Sequence, residues 1–496
     1  MDPYTQLEER FAEIHKLEAI GTLLFWDSKV MMPAQGAASR GEQLATLTGI
    51  IQGLRRDPAV PELLEQAEEK LEDLDTWQRA NLREMKRTSA HARAVDSDLS
   101  VAFSKACMGA GVSWLSSKAQ NDFQNFAPHL ETVFRLQIQI AQAEAEALGL
   151  SVYDALLDRH DPGTTTETID RLFGEVEARL PELVTEVRQA QQGMDRIALP
   201  EVPQEKVAKL LERILPQIGW PREGRLDHTE HPFALAGVPG DPRITTHYAS
   251  DKVLFALLGA FHECGHGLYE LNLPKNTYAY QPVGVARGGS THESQSLGLE
   301  MMACRSAPFL HWMFPQLRDV FGVSGPAWSD ANLLAHYRNV EPSLIRVNAD
   351  ELTYPLHIVL RYGLEQRILA GELAVRDIPE AWDAEMERLL GIRPSRLADG
   401  CLQDIHWSMG LIGYFPTYLL GALKAAQFFA TARDSVPGLL DEIGRGEFAA
   451  WLDWARQNVH RHASLFTSDE LMERATGRPV EITPLMSHFR ERYLST

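Results

Sequence analysis

No run of lysine or arginine occurs anywhere in the 496 residues, and the formal net charge is −20. Proteins that grip nucleic acid through its phosphates need clustered cations, so that class is excluded. Long uninterrupted apolar runs are missing too. The most apolar long segment, Met409 to Ala432, is broken by glycines, Pro416 and Lys424. It therefore reads as a buried pair of core helices and not as a membrane span. The opening residues, MDPYTQLEERFAEIHKLEA, have neither the basic start nor the apolar middle of a secretory signal. Cysteine is scarce. Cys107, Cys264, Cys304 and Cys401 show no paired or CxxC spacing, which fits reduced thiols in a cytoplasmic protein. Any metal must then rest mainly on histidine and carboxylate.

Strand-like alternation is also rare. Its main occurrence is HPFALAGVPGDPRITTHYAS, residues 231 to 250, where two short extended runs flank a Gly/Pro turn at Val238 to Pro242. The rest of the chain repeats apolar residues every three or four positions, as in Val253, Leu254, Leu257, Leu258 and Phe261, and again from Leu352 to Leu369. With 44% apolar content the chain can bury a large core. No internal repeat, low-complexity tract or clear linker divides it, and the polar segment Asp195 to Val207 gives only a soft boundary. The expectation is one mostly α-helical domain over residues 1–496, with a small antiparallel β-sheet near the middle of the sequence.

The stretch FHECGHGLYE, residues 261 to 270, carries the chemistry. Positions four apart lie on one face of a helix, so His262 and His266 can present two imidazoles to one ion. Glu263 sits about 100° round the helix from His262 and can border that ion without ligating it, as a general base must. A catalytic zinc needs three protein ligands and an open fourth position for water. The third is sought in GGSTHESQSLGLE, residues 288 to 300, where Glu293 is the choice and His292 and Glu300 are the alternatives. Imidazole with one carboxylate suits zinc; cobalt and manganese are the other candidates.

With these residues in view, the chain resembles the thermostable-type metallocarboxypeptidases similar to carboxypeptidase Taq, which use HExxH plus a distant glutamate. The family's signatures stand here in order: HPF at 231–233, DPRIT at 241–245, HECGH at 262–266, HESQ at 292–295, IRVNAD at 345–350 and GCLQDIHW at 400–407. FWDSKVMMPAQGAASR, residues 25 to 40, resembles the family's N-terminal region. The resemblance implies a single two-lobed helical fold around a deep groove, with the small sheet near the active site. It also implies a cytoplasmic homodimer that removes C-terminal residues from peptides bearing a free C-terminal carboxylate.

The resemblance also assigns roles. His262, His266 and Glu293 become the metal ligands, with Glu263 as base and proton shuttle. His406 and Tyr414 stand near the developing oxyanion, with Tyr418 as the alternative tyrosine. Arg346, in IRVNAD, becomes the anchor of the substrate carboxylate, because a guanidinium can make two parallel bonds to it. The competing reading of Arg346 is an ion pair with Asp350; Arg243 is the next candidate, unless it pairs structurally with Asp241. Two other functions share these residues: an oligopeptidase or endopeptidase with the same metal chemistry, and a peptide-binding protein with an inactive metal site.

Overall fold

The computed structural model describes residues 2–248, 250 and 252–495, and it is mostly helical. The chain forms two compact units. Unit 1 takes Met1–Ala92, Met194–Arg338 and Gly421–Val480; unit 2 takes Arg93–Gly193, Asn339–Leu420 and Glu481–Thr496. Among the described residues, no helix is long and apolar enough to cross a membrane.

Helix ends follow local chemistry. The first helix, Pro3–Val30, starts where the Asp2 carboxylate accepts from the backbone N–H groups of Tyr4 and Thr5, with a proline in its first turn. At Ser468–Thr476 the Thr467 hydroxyl and the Glu470 carboxylate satisfy each other's backbone donors, a capping box. The apolar segment 409–432 departs from the expected helix pair. Only one helix forms, Pro416–Ser435, because Gly410 (φ 74°) and Gly413 (φ 81°) hold turns before it and Pro416 lacks the N–H to continue any earlier ladder.

The sheet also differs from expectation: it is parallel. β1 (Arg225–His228) pairs with β2 (Arg243–Thr246), Arg225 opposite Arg243 and His228 opposite Thr246. The run before the Gly/Pro turn does return antiparallel to β2, but as a single bridge between Ala234 and Ile244. The backbone bonds Leu235 N–H to Arg243 O and Thr245 N–H to Phe233 O complete that contact. β2 therefore carries neighbours on both edges. The ladder partner lies upstream of the stretch that alternates, in a segment whose composition gives no strand signal.

In unit 1 the helix Val253–Asn272 is packed on most sides: Ala256, Leu257, Ala260, Phe261, Cys264, Gly265 and Tyr269 are all essentially inaccessible. A helix buried nearly all round belongs to the centre of its unit. β2 packs on it, with the Thr246 hydroxyl donating to Ala256 O. The helix Gly288–Leu297 crosses it at Gly265, where an added Cβ would stand 2.5 Å from Gln295 O and 2.6 Å from Ser296 Cα. Only a residue without a side chain lets the two backbones come this close. Gly265→Ala should therefore destabilise the protein by about 1–3 kcal/mol, the usual penalty for overpacking. Urea unfolding of the metal-free protein measures it, and an unchanged midpoint would mean that the crossing tolerates a methyl group.

Candidate functional site

The HECGH helix and the HESQ helix bring three donor atoms together. His262 Nε2 and His266 Nε2 lie 3.6 and 3.4 Å from Glu293 Oε2, and all three atoms fall within 4.8 Å of one another. Ligands about 2.0–2.2 Å from one tetrahedrally bound ion stand roughly 3.3–3.6 Å apart. Both histidine-to-carboxylate distances therefore match the ligand spacing of a divalent site. Among the described residues this is the one such group of His, Cys, Asp and Glu side chains.

The electrostatics also favour a cation. Burial disfavours a charged His262, but Glu293, Glu300 and Glu263 around it outweigh burial and raise it to about 10. At His266 burial wins and lowers it to about 4. The Glu293 carboxyl is held below its ordinary value: burial opposes ionisation, and His262 and His266 more than compensate. Glu263 is 7% exposed and shifts the other way, pushed up to about 7 chiefly by burial.

Both residues weighed as alternative third ligands fall behind the imidazoles. Glu300 Oε2 is 3.1 Å from His262 Nδ1, and His292 Nδ1 meets His266 Nδ1. Glu300 is carried on a turn of π-helix, Gly298–Ala303, directly after the Gly288–Leu297 helix. Such wide turns are rare and concentrate at functional sites. The Glu293 side chain is itself confined, since a Cβ on Gly421 would stand 2.5 Å from its Cγ. The neighbouring Gln295 accepts from His460 at 2.9 Å, which ties the HESQ helix to the 460–462 turn. Three members of this arrangement lie outside the sequence expectations, Gly421, His460 and Glu270. Glu270 accepts from His292 Nε2 at 3.1 Å. Its position four residues past His266, on the same helix face, is a signal the sequence does contain.

Unit 2 holds the other candidates. Arg346 is buried, and its partner is Asp404, not Asp350: Nε and Nη2 both reach Asp404 Oδ1, at 3.1 and 2.9 Å, while Nη1 donates to the Tyr354 hydroxyl at 2.9 Å. Asp350 is occupied instead with the backbone of Leu352, Thr353 and Glu341. Arg361, fully buried, takes the other oxygen of Asp404 at 2.7 Å. His406 lies 3.2 Å from the Tyr418 hydroxyl through Nε2, whereas the Tyr414 ring stacks on it at 6.0 Å between centroids. Burial lowers His406 to about 4, so its ring is neutral at pH 7. A second buried carboxylate, Glu365, accepts from Tyr153, Trp407 and the Gly413 backbone and so fixes the segment on which His406 and Tyr414 sit. Arg243 is in unit 1. It grips Asp241 with two bonds of 2.7 Å and stacks on Trp26, the structural pairing.

The profile of the carboxypeptidase Taq (M32) metallopeptidase family matches residues 6–493 and so runs through every segment of both units. Thermostable carboxypeptidase 1 of Thermus thermophilus is 36% identical, covering 99% of this chain and 98% of its own. Carboxypeptidase 1 of Bacillus subtilis is 32% identical over 97% of this chain and 95% of its own. Among solved structures, the metallocarboxypeptidase 1 of Trypanosoma cruzi superposes with a TM-score of 0.96 at 34% identity, covering 99% of both chains.

If the three donors act together, removing any one should abolish tight binding of a single divalent ion. His262→Ala, His266→Ala and Glu293→Ala are expected to lose it in equilibrium dialysis against zinc. Glu300→Gln, which alters only the support of one ligand, should weaken binding by about 10–100-fold. Retention of one tightly held ion by Glu293→Ala would rule this donor out.

Proposed function

The chain belongs to the carboxypeptidase Taq (M32) metallopeptidase family, and on that premise we propose that His262, His266 and Glu293 hold zinc, with Glu263 handling the proton of hydrolysis. Membership makes the protein a metallocarboxypeptidase whose substrates are peptides. The observation that carries the metal assignment is the 3.4 and 3.6 Å spacing of the donor atoms. Two imidazoles with one carboxylate favour zinc over manganese, which prefers oxygen ligands. When bound, the ion supplies Lewis-acid polarisation of the scissile carbonyl and acidifies a water molecule. Glu263 contributes the proton transfer. A buried carboxyl near 7 can accept a proton at neutral pH and return it to the leaving amine.

The substrate reading draws on unit 2. Two guanidiniums, Arg346 and Arg361, share one carboxylate, Asp404. Buried charge is costly without a partner. A peptide's terminal carboxylate supplies one, which supports Arg346 as its anchor; one hydrogen on each of its terminal nitrogens is still uncommitted. Arg243 is the weaker candidate, since Asp241 already takes its fork. For the oxyanion we propose the neutral ring of His406 with a tyrosine. The contact of His406 with the Tyr418 hydroxyl favours Tyr418 over Tyr414.

A cytoplasmic homodimer completes the reading. Four free thiols support a reducing compartment. On the helix Ser97–Gln120, Val101, Met108, Val112 and Leu115 form an apolar stripe that is 49 to 72% exposed, a face that a second copy could cover.

Two substitutions separate these roles. Glu263→Gln should keep its metal while turnover falls by about two to four orders of magnitude; near-normal activity would remove Glu263 from the chemistry. Arg346→Ala should raise the barrier for free-acid peptides by roughly 2–5 kcal/mol and leave metal content unchanged. It should also narrow the gap between free-acid and amidated peptides. A mutant that still rejects amides as strongly as the wild type does would show that the anchor lies elsewhere.

A further inference from the structure

The two imidazoles of the donor set are supported differently. His262 meets a carboxylate directly, through Nδ1 and Glu300. His266 meets another imidazole. Its Nδ1 lies 2.5 Å from His292 Nδ1, and His292 Nε2 lies 3.1 Å from Glu270 Oε1. Glu270 is buried, and its second oxygen accepts from the Gly237 backbone N–H at 3.1 Å, so the carboxylate cannot swing away.

The proton positions along this chain of groups follow by necessity. For His266 Nε2 to offer a lone pair toward the point it shares with Glu293, its proton must sit on Nδ1. His292 Nδ1 must then accept, which puts the His292 proton on Nε2. That proton needs an acceptor that can never donate, and an ionised carboxylate is one.

We propose that Glu270 is a positioning residue that acts through His292 to fix the tautomer of His266 and so keep Nε2 free to ligate. This rests on the metal assignment above and adds a residue to it. Without the carboxylate, His292 can carry its proton on Nδ1. Two N–H groups would then face each other, and His266 escapes by moving its own proton to Nε2, where Glu293 Oε2 at 3.4 Å accepts it. The ligand atom is then blocked.

A double-mutant cycle on metal affinity, read by competition with a chelator of known zinc affinity, tests this. Glu270→Gln is nearly isosteric and keeps an acceptor for Gly237, but its amide can donate to His292; it should weaken zinc binding about 10–100-fold. In His292→Asn the side-chain amide oxygen replaces Nδ1 as a fixed acceptor for His266, so affinity should stay within a few-fold of the wild type. Glu270→Gln added to His292→Asn should then cost nothing further. The proposal is overturned if Glu270→Gln binds zinc as tightly as the wild type, or if it weakens binding equally in both backgrounds, since Glu270 would then act by packing alone. Should Glu270→Gln fail to fold, the comparison of His292→Asn with His292→Ala still decides: equal affinities would mean that no acceptor is required behind His266. A wild-type protein that holds no ion, or a His266→Ala variant that holds one normally, instead overturns the metal assignment beneath it.

Discussion

One helix can offer two imidazoles four residues apart, but it cannot supply the third donor from the same turn. That donor comes from a second helix, and the crossing at Gly265 decides where it sits. The HECGH helix is buried nearly all round, so its position is set by packing, and the HESQ helix is pressed against it with no intervening side chain. Glu293 Oε2 is thereby delivered to within 3.6 Å of both ring nitrogens. Glycine at 421 removes the atoms that would otherwise displace the Glu293 side chain. A site assembled this way depends on backbone approach as much as on ligand identity, and a methyl group at the crossing acts on the donor geometry without touching any donor.

Charge is the second organising quantity. Around the donors, Glu263, Glu293 and Glu300 concentrate negative charge on His262 and raise it far above its ordinary value, a pattern that a divalent cation relieves. In unit 2 two buried guanidiniums, Arg346 and Arg361, share the carboxylate of Asp404. The two arrangements arise from different residues and are testable separately.

Much of this was legible in the sequence because it depends on periodicity and short spacing. His262, Glu263 and His266 lie within one helical turn, and Glu293 stands in a short polar cluster at the opening of an otherwise apolar segment. The partners of Arg346 and the strand order were not legible. Asp404 lies 58 residues from Arg346, whereas Asp350 sits at the four-residue spacing that a helix would make meaningful; the chain there adopts only a three-residue 3₁₀ turn, Arg346–Asn348. The sheet misled for a related reason. A Gly/Pro turn between extended runs signals a hairpin, but β2 took its ladder from a segment further upstream and left the hairpin a single bridge. Local signals report local geometry, and these two features were settled by long-range packing. Gly265 falls between: it stands inside the motif, but the need for it appears only when the second helix is in place.

The most direct measurement is an anomalous difference map at the zinc absorption edge from crystals grown with zinc. Zinc on the three donors gives one strong peak in unit 1, about 2.0–2.2 Å from His262 Nε2, His266 Nε2 and Glu293 Oε2. A peak ligated instead by Glu300 or His292, or placed against Cys264 or Cys304 in the same unit, would contradict it.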